Sequence, residues 1–128
     1  MNGKLVDTNV IIRFLKGVTE LFDLFDDAEK LFVSSISVGE LMYGAELSKN
    51  NDFNRKTYEG LCDCLNIIVP DKQVSLIYGK VKAQLKRAGH PIPENDIWIA
   101  ATAIAGDLTL VTADKDFAGI EGLKVEFL

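Results

Sequence analysis

Apolar residues recur along this chain in short bursts whose spacing alternates between strand-like and helix-like. Leu5 and Val6 form the first burst; the polar triplet Asp7-Thr8-Asn9 interrupts it, and residues 10–15 resume as a short helix with Asn9 near its start and Gly17 just past its end. Leu21, Phe22, Leu24, Phe25 and Ala28 then fall at helical intervals within residues 19–29, followed by Leu31-Phe32-Val33 as a brief buried strand. Further helices are predicted over residues 37–47 and 52–65, and the β-branched run Asn66-Ile67-Ile68-Val69 before Pro70 has the length of a strand. From Asp71 onward, Val74, Ile77, Tyr78, Val81, Leu85 and Ala88 mark one face of a long amphipathic helix, with Gly89 suited to its C-terminal cap. Pro91 and Pro93 stiffen residues 90–95 into a loop, residues 96–105 form an apolar helix closed by Gly106, and Leu110-Val111-Thr112 and Val125-Glu126-Phe127 read as the last two strands.

Strands separated by helical segments imply an α/β fold with a mainly parallel sheet and helices on both faces. A length of 128 residues, 48% of them hydrophobic, fits one core, so a single domain over residues 1–128 is expected. Cys62 and Cys64 lie two apart in a predicted helix, where their side chains diverge too far to bond, and no Cys/His pattern suggests zinc. Without a signal-peptide pattern after Met1-Asn2-Gly3-Lys4 or an apolar run long enough for a membrane, the expected setting is soluble and cytoplasmic.

The formal net charge of −5 argues against a broad basic surface for binding phosphate backbones. The position of the acids changes that picture. In parallel sheets the ligand site lies outside the carboxyl ends of the strands. Asp7 ends the first strand, Asp114 and Asp116 follow the strand ending at Thr112, Glu40 opens the helix after Val33, and Asp96 opens the helix after the proline loop. Each alone has a structural explanation, in a turn or at a helix dipole. Glu40 has the strongest, because Ser37-Val38-Gly39-Glu40 fits a capping box. Gathered together they do not: two carboxylates ~5 Å apart repel by ~3 kcal/mol at an effective dielectric of ~20. Four such groups call for bound protons or a hard divalent cation, Mg²⁺ or Mn²⁺.

Leu5-Val6-Asp7-Thr8-Asn9, Ser37-Val38-Gly39-Glu40-Leu41, Asn95-Asp96-Ile97-Trp98-Ile99-Ala100-Ala101 and Val111-Thr112-Ala113-Asp114-Lys115-Asp116-Phe117 together resemble the PIN-domain ribonucleases, specifically the VapC-type toxins of toxin–antitoxin pairs. The resemblance covers nearly the whole chain. It implies a PIN-like three-layer α/β/α sandwich and metal-dependent cleavage of single-stranded RNA to products with a 5′-phosphate and a 3′-hydroxyl. It assigns Asp7, Asp96 and Asp114 to the metal and Glu40 as the fourth catalytic acid. Thr8, Asn9 and Thr112 are candidates for orienting those carboxylates, and Asp116 for completing or flanking the site. Transfer RNA is favoured over ribosomal RNA as substrate, and a homodimer bound by a small VapB-like antitoxin is implied. Arg13, Lys16 and Lys115 adjoin the acid-bearing segments and are the first candidates for RNA contacts; Lys80, Lys82, Lys86 and Arg87 read more simply as a solvated helix face. Trp98 and Phe117 read as core, and the lone His90 as a loop residue.

Two other classes compete. An aspartate-based phosphotransfer domain also uses an Asp at a strand end, but a dehalogenase-like site wants a second Asp where this chain has Asn9, and a receiver wants an acidic pair where only Asp7 stands. A PIN module that binds RNA or protein without cutting is the other; retention of all four acids argues against it.

Overall fold

The computed structural model describes residues 3–128. Met1 and Asn2, part of the lead-in considered for a signal peptide, lie outside them. Five strands, β1 (Lys4–Val6), β2 (Leu31–Ser34), β3 (Asn66–Ile68), β4 (Thr109–Thr112) and β5 (Val125–Phe127), form one sheet in the order β3-β2-β1-β4-β5. Every pairing is parallel, with Leu5 opposite both Phe32 and Leu110. The chain builds outward from β1 on one side through β2 and β3, then crosses back to lay β4 on the other. The sheet therefore has its topological switch between β1 and β4, where parallel sheets open a crevice at the carboxyl edge.

Alternation along the central strands divides the interior into two cores. Leu5 and Leu110 point into one, with Val81 and Leu85 of α5 (Lys72–Ala88) and Ile97, Ala100 and Ala103 of α6 (Glu94–Ala105). Val6, Val33 and Val111 point into the other. There they meet Val10 and Ile11 of α1 (Thr8–Leu15), Phe25 of α2 (Phe22–Asp26), Leu41 of α3 (Ser35–Leu47) and Cys62 of α4 (Asn51–Asp63). A sheet buried on both faces has no polar side to its strands, which is why Leu5-Val6 and Leu110-Val111 are continuous rather than alternating apolar pairs. The expected α/β/α layering is what the chain adopts.

Helix ends refine the expected boundaries. Gly89 caps α5 in the left-handed region at φ 74°, donating to Leu85 and Lys86 carbonyls as its position suggested. The apolar residues between Thr19 and Lys30 face the core as expected but not from one helix: two 3-10 turns, Thr19–Leu21 and Ala28–Lys30, bracket the single turn of α2. The capping box expected at Ser37 is not formed. α3 starts two residues earlier, capped by Ser34, whose hydroxyl accepts from the Ile36 amide at 3.1 Å. Ser37 is instead inside the helix, buried, with its hydroxyl unpartnered. Cys62 and Cys64 are both free thiols, one buried and one exposed. Among the described residues no helix is long and apolar enough to cross a membrane.

Candidate active site

Asp7 stands where β1 leaves the sheet. Its amide donates to the Val111 carbonyl at 3.0 Å, so the β1–β4 ladder runs up to this residue before the chain turns into α1. The side chain then caps that helix, one oxygen accepting from the Thr8 amide at 2.8 Å. The other oxygen accepts from the Thr112 hydroxyl at 2.7 Å and from Asn9 Nδ2 at 3.3 Å. Both donors are tied to the turn after β4: Thr112 Oγ1 accepts from the Asp114 amide at 3.0 Å, and Asn9 Oδ1 from the Ala113 amide at 3.3 Å. Asp7 is thus 5% exposed and held on three sides.

Asp114 leads from β4 into a 3-10 turn (Lys115–Gly119), its carboxylate accepting from the Asp116 amide at 2.9 Å. Glu40 projects from the second turn of α3 and takes a short hydrogen bond from the Thr8 hydroxyl, 2.6 Å, and a long one from Asn95 Nδ2, 3.5 Å. Asn95 lies in the Asn95-Asp96 motif but was not expected to take part; its place just before Asp96, on a helix facing α3, was the signal. Asp96 lies in the first turn of α6, where the helix dipole favours a negative charge.

The dipole does not decide the charge of Asp96. Partial burial, and then the negative fields of Asp7, Asp114, Glu40 and Asp116 in that order, push its carboxyl up to about 7. Asp7 is also raised, chiefly by burial, against the opposing hydrogen bonds from Thr112 and Thr8 and with smaller repulsions from Glu40 and Asp114. The fields of the other four acids named from the sequence therefore add at Asp96, and two of them, Glu40 and Asp114, also reach Asp7. No ion pair to Asp7, Glu40, Asp96 or Asp114 is found among the described residues. Nor do any three Asp, Glu, His or Cys side chains among them stand as a closed metal-ligand group. The acids are gathered at one edge without being drawn onto a common point.

The expected basic residues are dispersed. Arg13 is exposed on α1, and Lys16 ends that helix about 12 Å along the axis from the acidic edge. Lys115 borders the acids with its ammonium 4.3 Å from the centre of the Phe127 ring. Phe117 is core, as expected; Trp98 is half-buried, stacked on Tyr78 of α5 with ring centres 4.0 Å apart.

The PIN-domain profile matches residues 4–123. The chain belongs to the PIN-domain family. Its relatives place it in the VapC branch: it is 34% identical over 125 residues to ribonuclease VapC1 of Haemophilus influenzae, covering 94% of this chain and 93% of that one. To the tRNA(fMet)-specific endonuclease VapC of Salmonella typhimurium it is 32% identical over 127 residues, 95% of each. A chain of the DNA-bound VapBC structure from Salmonella typhimurium superposes with a TM-score of 0.94 at 31% identity, over 99% of this chain and 98% of that one. A chain of DNA-bound VapBC2 from Rickettsia felis gives 0.90 at 28% identity.

Proposed function

We propose that this VapC-branch PIN protein is a divalent-metal-dependent endoribonuclease and the RNA-cutting partner of a small VapB-like antitoxin. The observation that carries the reading is Asp96, a half-buried carboxyl at the start of α6 in the summed field of four other acids, with no ion pair to it among the described residues. Such an arrangement is stable when charge is supplied from outside, and an all-oxygen donor set suits Mg²⁺ or Mn²⁺. Asp7, Asp96 and Asp114 would hold the ion, and Glu40 would approach it directly or through water. When bound, the ion would acidify a water and offset charge building on the phosphate.

The protein's own part is orientation. Thr112 and Asn9 fix the Asp7 carboxylate, the Asp116 amide fixes Asp114, and Thr8 and Asn95 hold Glu40 where it can take a proton from the attacking water. Water oxygen would bond to phosphorus as the bond to the 3′ oxygen breaks in line; the water's proton would pass to Glu40 and the departing 3′ oxygen would take one from solvent, leaving a 5′-phosphate and a 3′-hydroxyl. The tRNA(fMet) specificity in one relative's name favours transfer RNA as substrate, and the VapBC complexes among similar structures favour an antitoxin partner. We further propose a cytoplasmic homodimer.

Incubating the purified protein with transfer RNA, with Mn²⁺ or with a chelator, tests this. Metal-dependent fragments are expected. Asp7→Asn, which keeps the helix cap but removes a ligand charge, should lower cleavage by about 100-fold. RNA binding without fragments in either condition would leave a non-cutting module and overturn the proposal.

A further inference from the structure

Residues 72–93 carry Lys72, Lys80, Lys82, Lys86 and Arg87 and not one Asp or Glu, leaving nine basic residues against nineteen acidic ones elsewhere in the chain. This segment is α5 and the proline loop that returns to the acids at α6. Two grooves flank that loop, of about 470 and 430 Å³. Leu85, Pro91 and Ile92 line both, so they are two sides of one apolar ridge. The first runs between Lys82 and Lys86 of α5 and Glu94, two residues before Asp96; the second runs between His90 and Lys115 and ends on Asp116, one of the acids whose field reaches Asp96. Lys82 is neutralised by Glu94 at 3.1 Å. No ion pair to Lys86 or Lys115 is found among the described residues.

We infer that these grooves are the track of the RNA strand beside the scissile phosphate, with Lys86 and Lys115 each taking a backbone phosphate and Pro91 and Ile92 meeting the bases between them. The inference rests on the ribonuclease reading above. Cations spaced along an apolar floor match the alternation of phosphate and base in a single strand. Each groove reaches a residue of an acid-bearing segment, Glu94 in the first and Asp116 in the second, and a strand being cut has to pass those segments. Lys80, which borders a separate hollow with Gln73 and Gln84, lies off this path.

The test uses a short single-stranded RNA that wild-type protein cuts, with Lys86→Gln, Lys115→Gln, the double variant, and Lys56→Gln on the opposite helical layer as control. Each single groove variant should raise KM about 5-fold with kcat within about two-fold, the signature of lost uniform binding. In an Asp7→Asn background, the dependence of log affinity on log salt should become shallower by about 0.7 per lost contact, and Lys86→Arg should restore it. Lys56→Gln should change neither. KM and salt slope unchanged in the double variant, while wild type still cuts, would overturn the track alone. So would variants that escape antitoxin inhibition with RNA kinetics intact, which would give the groove to the partner protein. Failure of wild type to bind or cut RNA would remove the ribonuclease reading and the track with it.

Discussion

Asp7 and Asp96 share one edge of the sheet and lie in each other's field, but their surroundings differ sharply. Asp7 is buried under three hydrogen-bond donors drawn from α1 and β4, so its carboxylate has one orientation and its charge is partly met by the protein. Asp96 has the helix dipole behind it and other acids in front, and its carboxyl rises to about 7. On the metal-dependent reading proposed above, the contrast would separate two tasks that such a site has to combine. Asp7 supplies fixed geometry; Asp96 supplies unmet charge, and so the affinity for whatever cation or proton arrives.

Removing the support of Asp7 should have the largest effect on that contrast. Thr112→Val keeps the shape of the side chain but strips the hydroxyl from both the Asp7 carboxylate and the Asp114 amide, leaving buried polar atoms unpaired. Stability should fall by about 2 kcal/mol in urea melts, and cleavage by about 10- to 100-fold. Wild-type values for both would show the Asp7 cradle to be incidental.

Asp96 makes a pH prediction. Its folded carboxyl lies above its unfolded value, so between pH 4 and 7 the folded state binds more protons and stability falls as pH rises. The contribution is complete below about pH 4 and lost once pH passes about 7; Asp7, also raised, acts in the same direction. Metal-free melts between pH 5 and 8 should show this slope, Asp96→Asn should flatten most of it, and Mn²⁺ should raise the wild-type melting temperature most at the alkaline end. An undiminished slope in Asp96→Asn would place the titrating group elsewhere.

The smallest effects concern Glu40, which has donors like Asp7 and repulsive neighbours like Asp96. Because Ser34 caps α3, Ser34→Ala should cost about 1 kcal/mol. Ser37→Ala, which removes an unpartnered buried hydroxyl, should leave stability unchanged or slightly higher. Glu40→Gln should stay within about 0.5 kcal/mol of wild type, since an amide oxygen can still accept from Thr8, while cleavage falls about 10-fold. A Glu40→Gln protein cutting at the wild-type rate would remove Glu40 from the chemistry.

The sequence was most legible where local and global signals agree. Strand runs such as Leu110-Val111-Thr112 and the stripe from Val74 to Ala88 are set by burial on a sheet or helix face, and Gly89 is set by backbone sterics. Apolar spacing could not show that residues 19–30 break into turns, because it records which side chains face inward and not whether backbone hydrogen bonding continues between them. The start of α3 was missed for a related reason. Ser34, Ser35 and Ser37 are all plausible caps, and the choice is made by β2 extending to pair Ser34 with Ile68, a tertiary contact. The acids' convergence followed from strand ends, but the cradle did not: the Thr112 hydroxyl meets Asp7 across 105 residues of chain.

That separation also orders events during synthesis. β1 is the central strand, but its ladder to β4, from Lys4 opposite Thr109 to Val6 opposite Val111, needs a segment made long after it. Closing so long a loop delays folding, since its entropy is lost before the pairing compensates for it. A growing chain that has emerged only through α6 already carries Asp7, Glu40 and Asp96, but neither the Thr112 hydroxyl nor Asp114. Most of this polypeptide can thus leave the ribosome before its acid centre can assemble, and the centre forms only when β4 docks.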